Sequence, residues 1–291
     1  MPTTPAPGRS LRLPDFLGIG ALKAGTSYLE TMLRSHPETC MPAAGTELEF
    51  FNRHYQRGPA WYAAQFCRCE APVRGEVSPP YLFDPASPQR IADLLPEVRL
   101  LVSVRDPVQR AYSQYKHWVQ VTAYPGSFDD FISDHPGAVE RGMYFELVSR
   151  YLERFRREQL LVVVFEDMVR CPAEVLPQVY AFVGVDPSYV AEAADDAVNA
   201  SGVPRFHRAY VRAQEVSHML SDHGAGKLVA LAKRTGVARL LKSSTSAPPP
   251  FTPLSPATAA DLARTYAGDV ASLSELLGRD LAAVWPGQRR P

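Results

Sequence analysis

Phe16-Leu17-Gly18-Ile19-Gly20-Ala21-Leu22-Lys23-Ala24-Gly25-Thr26-Ser27-Tyr28 decides how this chain is read, because an apolar run, a glycine-bounded loop and a helix start follow one another without a gap. Phe16, Leu17 and Ile19 make a brief strand of the buried, parallel kind. Leu29, Met32 and Leu33 then fall at i, i+3 and i+4, with Thr26 and Ser27 available as caps and His36-Pro37 as the stop. Gly20 and Gly25 allow positive φ and close backbone approach, so successive amides can converge on an anion at the helix N-terminus while Lys23 adds a mobile charge. A Walker A loop would place lysine directly after the second glycine, and Thr26 stands there instead. The segment either cradles a different phosphate or is a glycine turn with a solvated lysine.

With 291 residues and 46% hydrophobic content, the chain can bury one large α/β core. Its 31 basic and 31 acidic residues balance, so a general affinity for nucleic acid or anionic membrane has no support. Any anion site must be local. No apolar run reaches the ~20 residues needed to span a bilayer. The 4 cysteines (Cys40, Cys67, Cys69 and Cys171) lack regular spacing, and with a polar, Pro-rich start they lead to the expectation of a reducing, cytoplasmic setting. Cys67 and Cys69 read as ordinary thiols, too close to bridge one another and without a second pair for zinc. Residues 1–12 are expected to form a disordered tail and 13–291 a single domain.

Two further patterns carry chemistry. Glu47 and Glu49 alternate with Leu48 and Phe50, so in an extended segment both carboxylates face one side. Neighbouring carboxylates raise one another's pKa toward the range of a general base, unless the segment is only a solvated strand edge. Arg99 to Val104 reads as a buried strand, Asp106 as the cap of the next helix and Pro107 as its first residue. Arg105 thereby lies at the carboxyl end of a strand, where ligands of open parallel sheets collect. Ser113 returns to the face of the cap about two helical turns later. An arginine fork and a hydroxyl suit one phosphate; a structural ion pair is the alternative for Arg105.

The run from Gly20 through Phe51, then Trp61-Tyr62, Glu76-Val77-Ser78-Pro79-Pro80-Tyr81 and Arg105-Asp106-Pro107 through Ser113, resembles the heparan-sulfate-type sulfotransferases and their bacterial relatives. The resemblance implies a P-loop-containing nucleotide-hydrolase-like α/β fold, a three-layer sandwich with a central, mainly parallel sheet flanked by helices. It implies 3′-phosphoadenosine 5′-phosphosulfate (PAPS) as sulfuryl donor, adenosine 3′,5′-bisphosphate as product, and no metal. Lys23, Ala24, Gly25, Thr26 and Ser27 would surround the 5′-phosphosulfate, and Arg105 and Ser113, with Arg205, the rest of the nucleotide. Glu47 would be the base, and Glu49, Ser78, Tyr81 and His117 would border the acceptor. Val77 stands where the glycosaminoglycan branch usually has lysine, and Glu49 where many relatives have histidine or glutamine. A heparan acceptor is therefore not carried over. A small-molecule hydroxyl is expected, on a secondary metabolite, glycolipid or carbohydrate, and the Ala/Pro/Arg-rich composition hints at a high-GC bacterium. A small-molecule P-loop kinase and a non-catalytic nucleotide-binding module remain the other readings.

Further on, the apolar positions from Tyr144 to Phe155 suggest one amphipathic helix beginning near Arg141. Leu160 to Phe165 reads as a strand and Pro172 to Val183 as a helix. A basic helical section at about 199–242 could close over a nucleotide or be a solvated face, and 243–256 is a Ser/Pro-rich loop. A last helix, with Leu262, Tyr266, Val270, Leu273 and Leu277 on one side, is expected to pack back on the sheet.

Overall fold

A computed structural model describes residues 11–43, 47–191 and 251–285. Five parallel strands, β1 (Phe16–Gly20), β2 (Thr39–Cys40), β3 (Val73–Val77), β4 (Arg99–Val104) and β5 (Leu160–Val164), lie side by side in the order β2-β3-β1-β4-β5. The helices are α1 (Thr26–Ser35), α2 (Gly58–Ala64), α3 (Ser87–Leu94), α4 (Pro107–Thr122), α5 (Phe128–Asp134), α6 (Gly137–Glu140), α7 (Tyr144–Leu152), α8 (Phe165–Arg170), α9 (Pro172–Val183) and α10 (Pro256–Leu277). Alternation along the strands sorts the apolar side chains into two cores. Leu17, Ile19, Leu100, Val102 and Val104 face Ile91, Val108, Tyr115, Val148 and Tyr266 on one side, whereas Phe16, Leu101 and Val163 face Leu29, Leu33, Val179 and Val183 on the other. The result is a helix-sheet-helix sandwich with β1 in the middle. Gly18 of β1 lies beside Val77 of β3 and Leu101 of β4, so the carboxyl ends of β1, β3 and β4 emerge together.

Several expectations change. The amphipathic helix expected from near Arg141 begins three residues later, because Arg141 is the C-cap of α6 and Gly142 is pressed against the Tyr266 ring, where a Cβ would lie 2.7 Å from a ring carbon. α7 starts at Tyr144, where Asp269 of α10 accepts hydrogen bonds from the Phe145 and Glu146 amides at 3.0 and 3.1 Å. α10 packs chiefly on α7 and α4, with Tyr266 joining the core on that face of the sheet. Phe165 leaves the strand and opens α8.

The cysteine reading also changes. Cys40 and Cys69 form a disulfide with Cα atoms 5.4 Å apart, while Cys67 is an exposed free thiol. Parallel pairing of β2 with β3 closes a long excursion between them, and this brings together two cysteines 29 residues apart. Cysteine usage therefore no longer argues for a reducing setting. The tail up to residue 10, the basic section at 199–242 with Arg205, and residues 243–250 lie outside the described residues.

Candidate active site

The loop between β1 and α1 is tied to β4 at two points. The Ala21 amide donates to the Ser103 carbonyl at 2.8 Å, and the Ser103 hydroxyl donates to the Ala24 carbonyl. Lys23 takes φ 69° and Gly25 φ 86°. At Gly25 a Cβ would lie 2.5 Å from the Phe165 ring and 2.8 Å from the Met168 methyl, so glycine is required there by both conformation and space. Gly25 is itself the N-cap of α1 and brings no side chain to the task; Thr26 and Ser27 are the first helical residues, not the caps expected of them. The first bond of α1 runs from the Leu29 amide to the Gly25 carbonyl at 3.1 Å, which leaves the amides of Thr26 and Ser27 with no carbonyl to bond within the helix. Donors of this kind at a helix start are suited to an anion.

Lys23 and Glu47 lie close enough beside this loop for each charge to act on the other. Burial lowers the Lys23 pKa to about 8, against the attraction of Glu47. The Glu47 carboxyl is raised to about 7, by burial first and then by the charges of Glu49 and Glu30, with Lys23 pulling the other way and Glu76 adding to the rise. A carboxylate that accepts a proton near neutrality, near a desolvated ammonium, is chemically suited to take a proton and to meet a developing negative charge. The segment is not the extended one expected. Glu49 sits at φ 45°, ψ 33°, the chain then makes a π turn over Phe50–His54, and the Glu49 carboxylate is held by Arg53 at 2.9 Å and Asn52 at 3.0 Å.

Arg105 follows β4 and reaches back over the same loop. Its Nη1 lies 3.5 Å from the Lys23 carbonyl, and its guanidinium stands 4.7 Å from the centre of the Phe165 ring. Burial lowers its pKa, against the charge of Glu166. Glu166 does not bridge to it, being engaged by the Asp106 amide at 3.0 Å and by the Trp285 indole at 2.8 Å. Asp106 caps α4 through the Val108 and Gln109 amides at 2.9 and 3.4 Å. Ser113, half-buried, lies on α4 with Lys116 one turn beyond; the Lys116 pKa is lowered by burial and by the like charge of Arg105. His117, also on α4, is half-buried.

Ser78 and Tyr81, expected to border the acceptor, turn inward instead. Both are fully buried, and their hydroxyls bond the Glu76 carboxylate at 2.8 Å each. The Val77 side chain is buried against Gly18 of β1. Glu76 and its partner Tyr62 help to carry the resemblance, but neither was expected in the site. The signal available was one charged residue inside the strand Val73–Val77, which burial on both faces makes costly.

The comparisons with known proteins follow this geometry. The sulfotransferase domain family matches residues 13–216. Heparan sulfate glucosamine 3-O-sulfotransferase 6 of Mus musculus is 34% identical over 194 residues, covering 64% of this chain and 56% of its own length. The bifunctional heparan sulfate N-deacetylase/N-sulfotransferase 3 of the same species is 33% identical over 205 residues, covering 61% of this chain and 23% of its own length. The chain thus spans about half, or less, of the curated relatives it matches. Among solved structures, a sulfotransferase from Alicyclobacillus acidocaldarius superposes with a TM-score of 0.68 at 25% identity, over 94% of this chain and 98% of its own. With the family match covering more than half its length, and the parallel sheet and anion loop already in place, the chain belongs to the sulfotransferase family.

Proposed function

We propose that the chain moves a sulfuryl group from PAPS to a hydroxyl of a small, non-polyanionic acceptor. The observation that carries this reading is the pairing of Glu47, raised to about 7, with Lys23, lowered to about 8, beside the Gly25 cradle. The Thr26 and Ser27 amides and the Lys23 ammonium bind the 5′-phosphosulfate, and Arg105 and Ser113 bind the 3′-phosphate. Glu47 removes the acceptor proton as the oxygen attacks sulfur in line. The bond from sulfur to the bridging oxygen breaks, and Lys23 meets the charge that stays on the 5′-phosphate. No covalent enzyme intermediate is needed.

The acceptor class follows from the charges around Glu47. Glu30, Glu49 and Glu76 all raise its pKa, and Val77 is apolar where a cation would favour a polyanion. A sulfated polysaccharide would meet repulsion there, while a neutral or amino-bearing alcohol would not.

The test pairs titration calorimetry with a transfer assay. Adenosine 3′,5′-bisphosphate should bind, and sulfur-labelled PAPS should label members of a panel of phenols, hexosamines and amino alcohols in the presence of a chelator. Heat without transfer to any acceptor supports a non-catalytic module. Turnover that uses ATP and stops in chelator supports a kinase.

A further inference from the structure

Glu76 is 1% exposed at the carboxyl end of β3. Its Oε1 accepts from the Tyr62 hydroxyl at 2.6 Å and the Tyr81 hydroxyl at 2.8 Å, and its Oε2 accepts from the Ser78 hydroxyl at 2.8 Å. The Leu48 amide lies close enough to favour the anion as well. An ionised carboxylate only accepts, and a hydroxyl has a single proton to give. With that proton committed to Glu76, each hydroxyl presents a lone pair in the other direction. The Ser78 Oγ accepts the Glu49 amide at 3.2 Å, and the Tyr81 Oη accepts the Phe50 amide at 2.8 Å.

Two successive amides, those of Glu49 and Phe50, are therefore held by one carboxylate, each through one hydroxyl. They begin two residues after Glu47. The hold is needed, because Glu49 is a non-glycine residue in the left-handed region, a conformation that persists only where its surroundings over-determine it. It is also costly, since burial pushes the Glu76 pKa up against the donors that favour the anion. Among the described residues no lysine or arginine forms an ion pair with Glu76. An apolar residue would fill the strand position with less desolvation.

We infer that Glu76 is a positioning residue for sulfuryl transfer, fixing the Glu47 carboxylate against the donor loop through Ser78 and Tyr81. This rests on Glu47 being the base. A glutamine at 76 brings an N–H₂ group into a ring of donors, so at least one hydroxyl must turn and release its amide.

The experiment compares Glu76→Gln, Tyr81→Phe and Ser78→Ala in the full chain, using labelled PAPS and the acceptor panel. Tyr180→Phe is the stability control; it removes a buried hydroxyl bond to the Met32 carbonyl in the other core. Glu76→Gln should lower kcat by about a hundredfold and the two hydroxyl variants by about tenfold, with KM for PAPS and affinity for adenosine 3′,5′-bisphosphate unchanged. Glu49 on the π turn, Glu30 on α1, Lys23 on the loop and Glu76 on β3 set the Glu47 pKa together. The acid limb of the rate profile should therefore move to lower pH in Glu76→Gln.

Unchanged kcat in Tyr81→Phe and Ser78→Ala, or losses in kcat no larger than that of Tyr180→Phe at equal loss of stability, would overturn the proposal. So would a rise in KM for PAPS at constant kcat. If Glu76→Gln fails to fold, the two hydroxyl variants decide. Failure of the underlying reading appears separately, as retained turnover in Glu47→Gln.

Discussion

Lys23 and Glu47 titrate within reach of one another, and the order of their pKa values sets the working form. Glu47 must be deprotonated to act as base, so activity rises as pH passes about 7; Lys23 must be protonated to meet the leaving charge, so activity falls past about 8. For the free protein, kcat/KM should be bell-shaped with a narrow optimum between these values, which belong to the pair as a unit. Bound phosphosulfate, being negative, should displace both limbs of the kcat profile upward. Glu47→Gln should lower turnover by about a hundredfold and abolish the acid limb, as read from steady-state rates across pH. Arg105→Ala should instead weaken adenosine 3′,5′-bisphosphate binding by about 2–3 kcal/mol in calorimetry, with a smaller effect on kcat once the donor is saturating. The places of Lys23, on the loop after β1, and of Arg105, at the end of β4, were legible in the sequence, because each sits in a local strand-to-helix pattern. The Glu76 cluster was not, because its partners come from α2 and from the turn after β3, and only the folded sheet brings them together under the Glu49–Phe50 segment.

The anion loop and the turn after β4 are the two elements on which the site is mounted, and each depends on a local backbone requirement. Gly25→Ala places a Cβ against Phe165 and Met168 at positive φ, and should cost roughly 2–4 kcal/mol in denaturant titration along with loss of nucleotide binding. The strand-loop-helix order and the Asp106 cap were readable because strand periodicity and cap chemistry are local. The start of α7 was not, since the acceptor for its first amides is Asp269, more than a hundred residues downstream. The Glu47–Glu49 alternation misled for a related reason: period two implies a strand only where a ladder partner exists, and here side-chain hydroxyls take the amides instead.

The Cys40–Cys69 bridge closes a loop of 29 residues that contains Glu47, Glu49 and α2. On chain-entropy grounds it contributes about 3–4 kcal/mol. Adding a reductant, or the Cys40→Ser change, should lower the denaturation midpoint accordingly, and thiol titration of the native protein should find Cys67 reactive before reductant is added. The layered α/β organisation was legible from alternating apolar strands and helices, whereas a disulfide between cysteines with no sequence pattern becomes visible only when two strands are paired.

The indole of Trp285, wholly enclosed, shares Glu166 with the Asp106 amide, one residue from the guanidinium assigned to the 3′-phosphate. The far end of the described chain is thus joined to the turn that carries Arg105. If the nucleotide lodges there as proposed, the ultraviolet emission of this indole should report occupancy, and a Trp285→Phe change should silence that signal while Trp61 and Trp118 continue to glow.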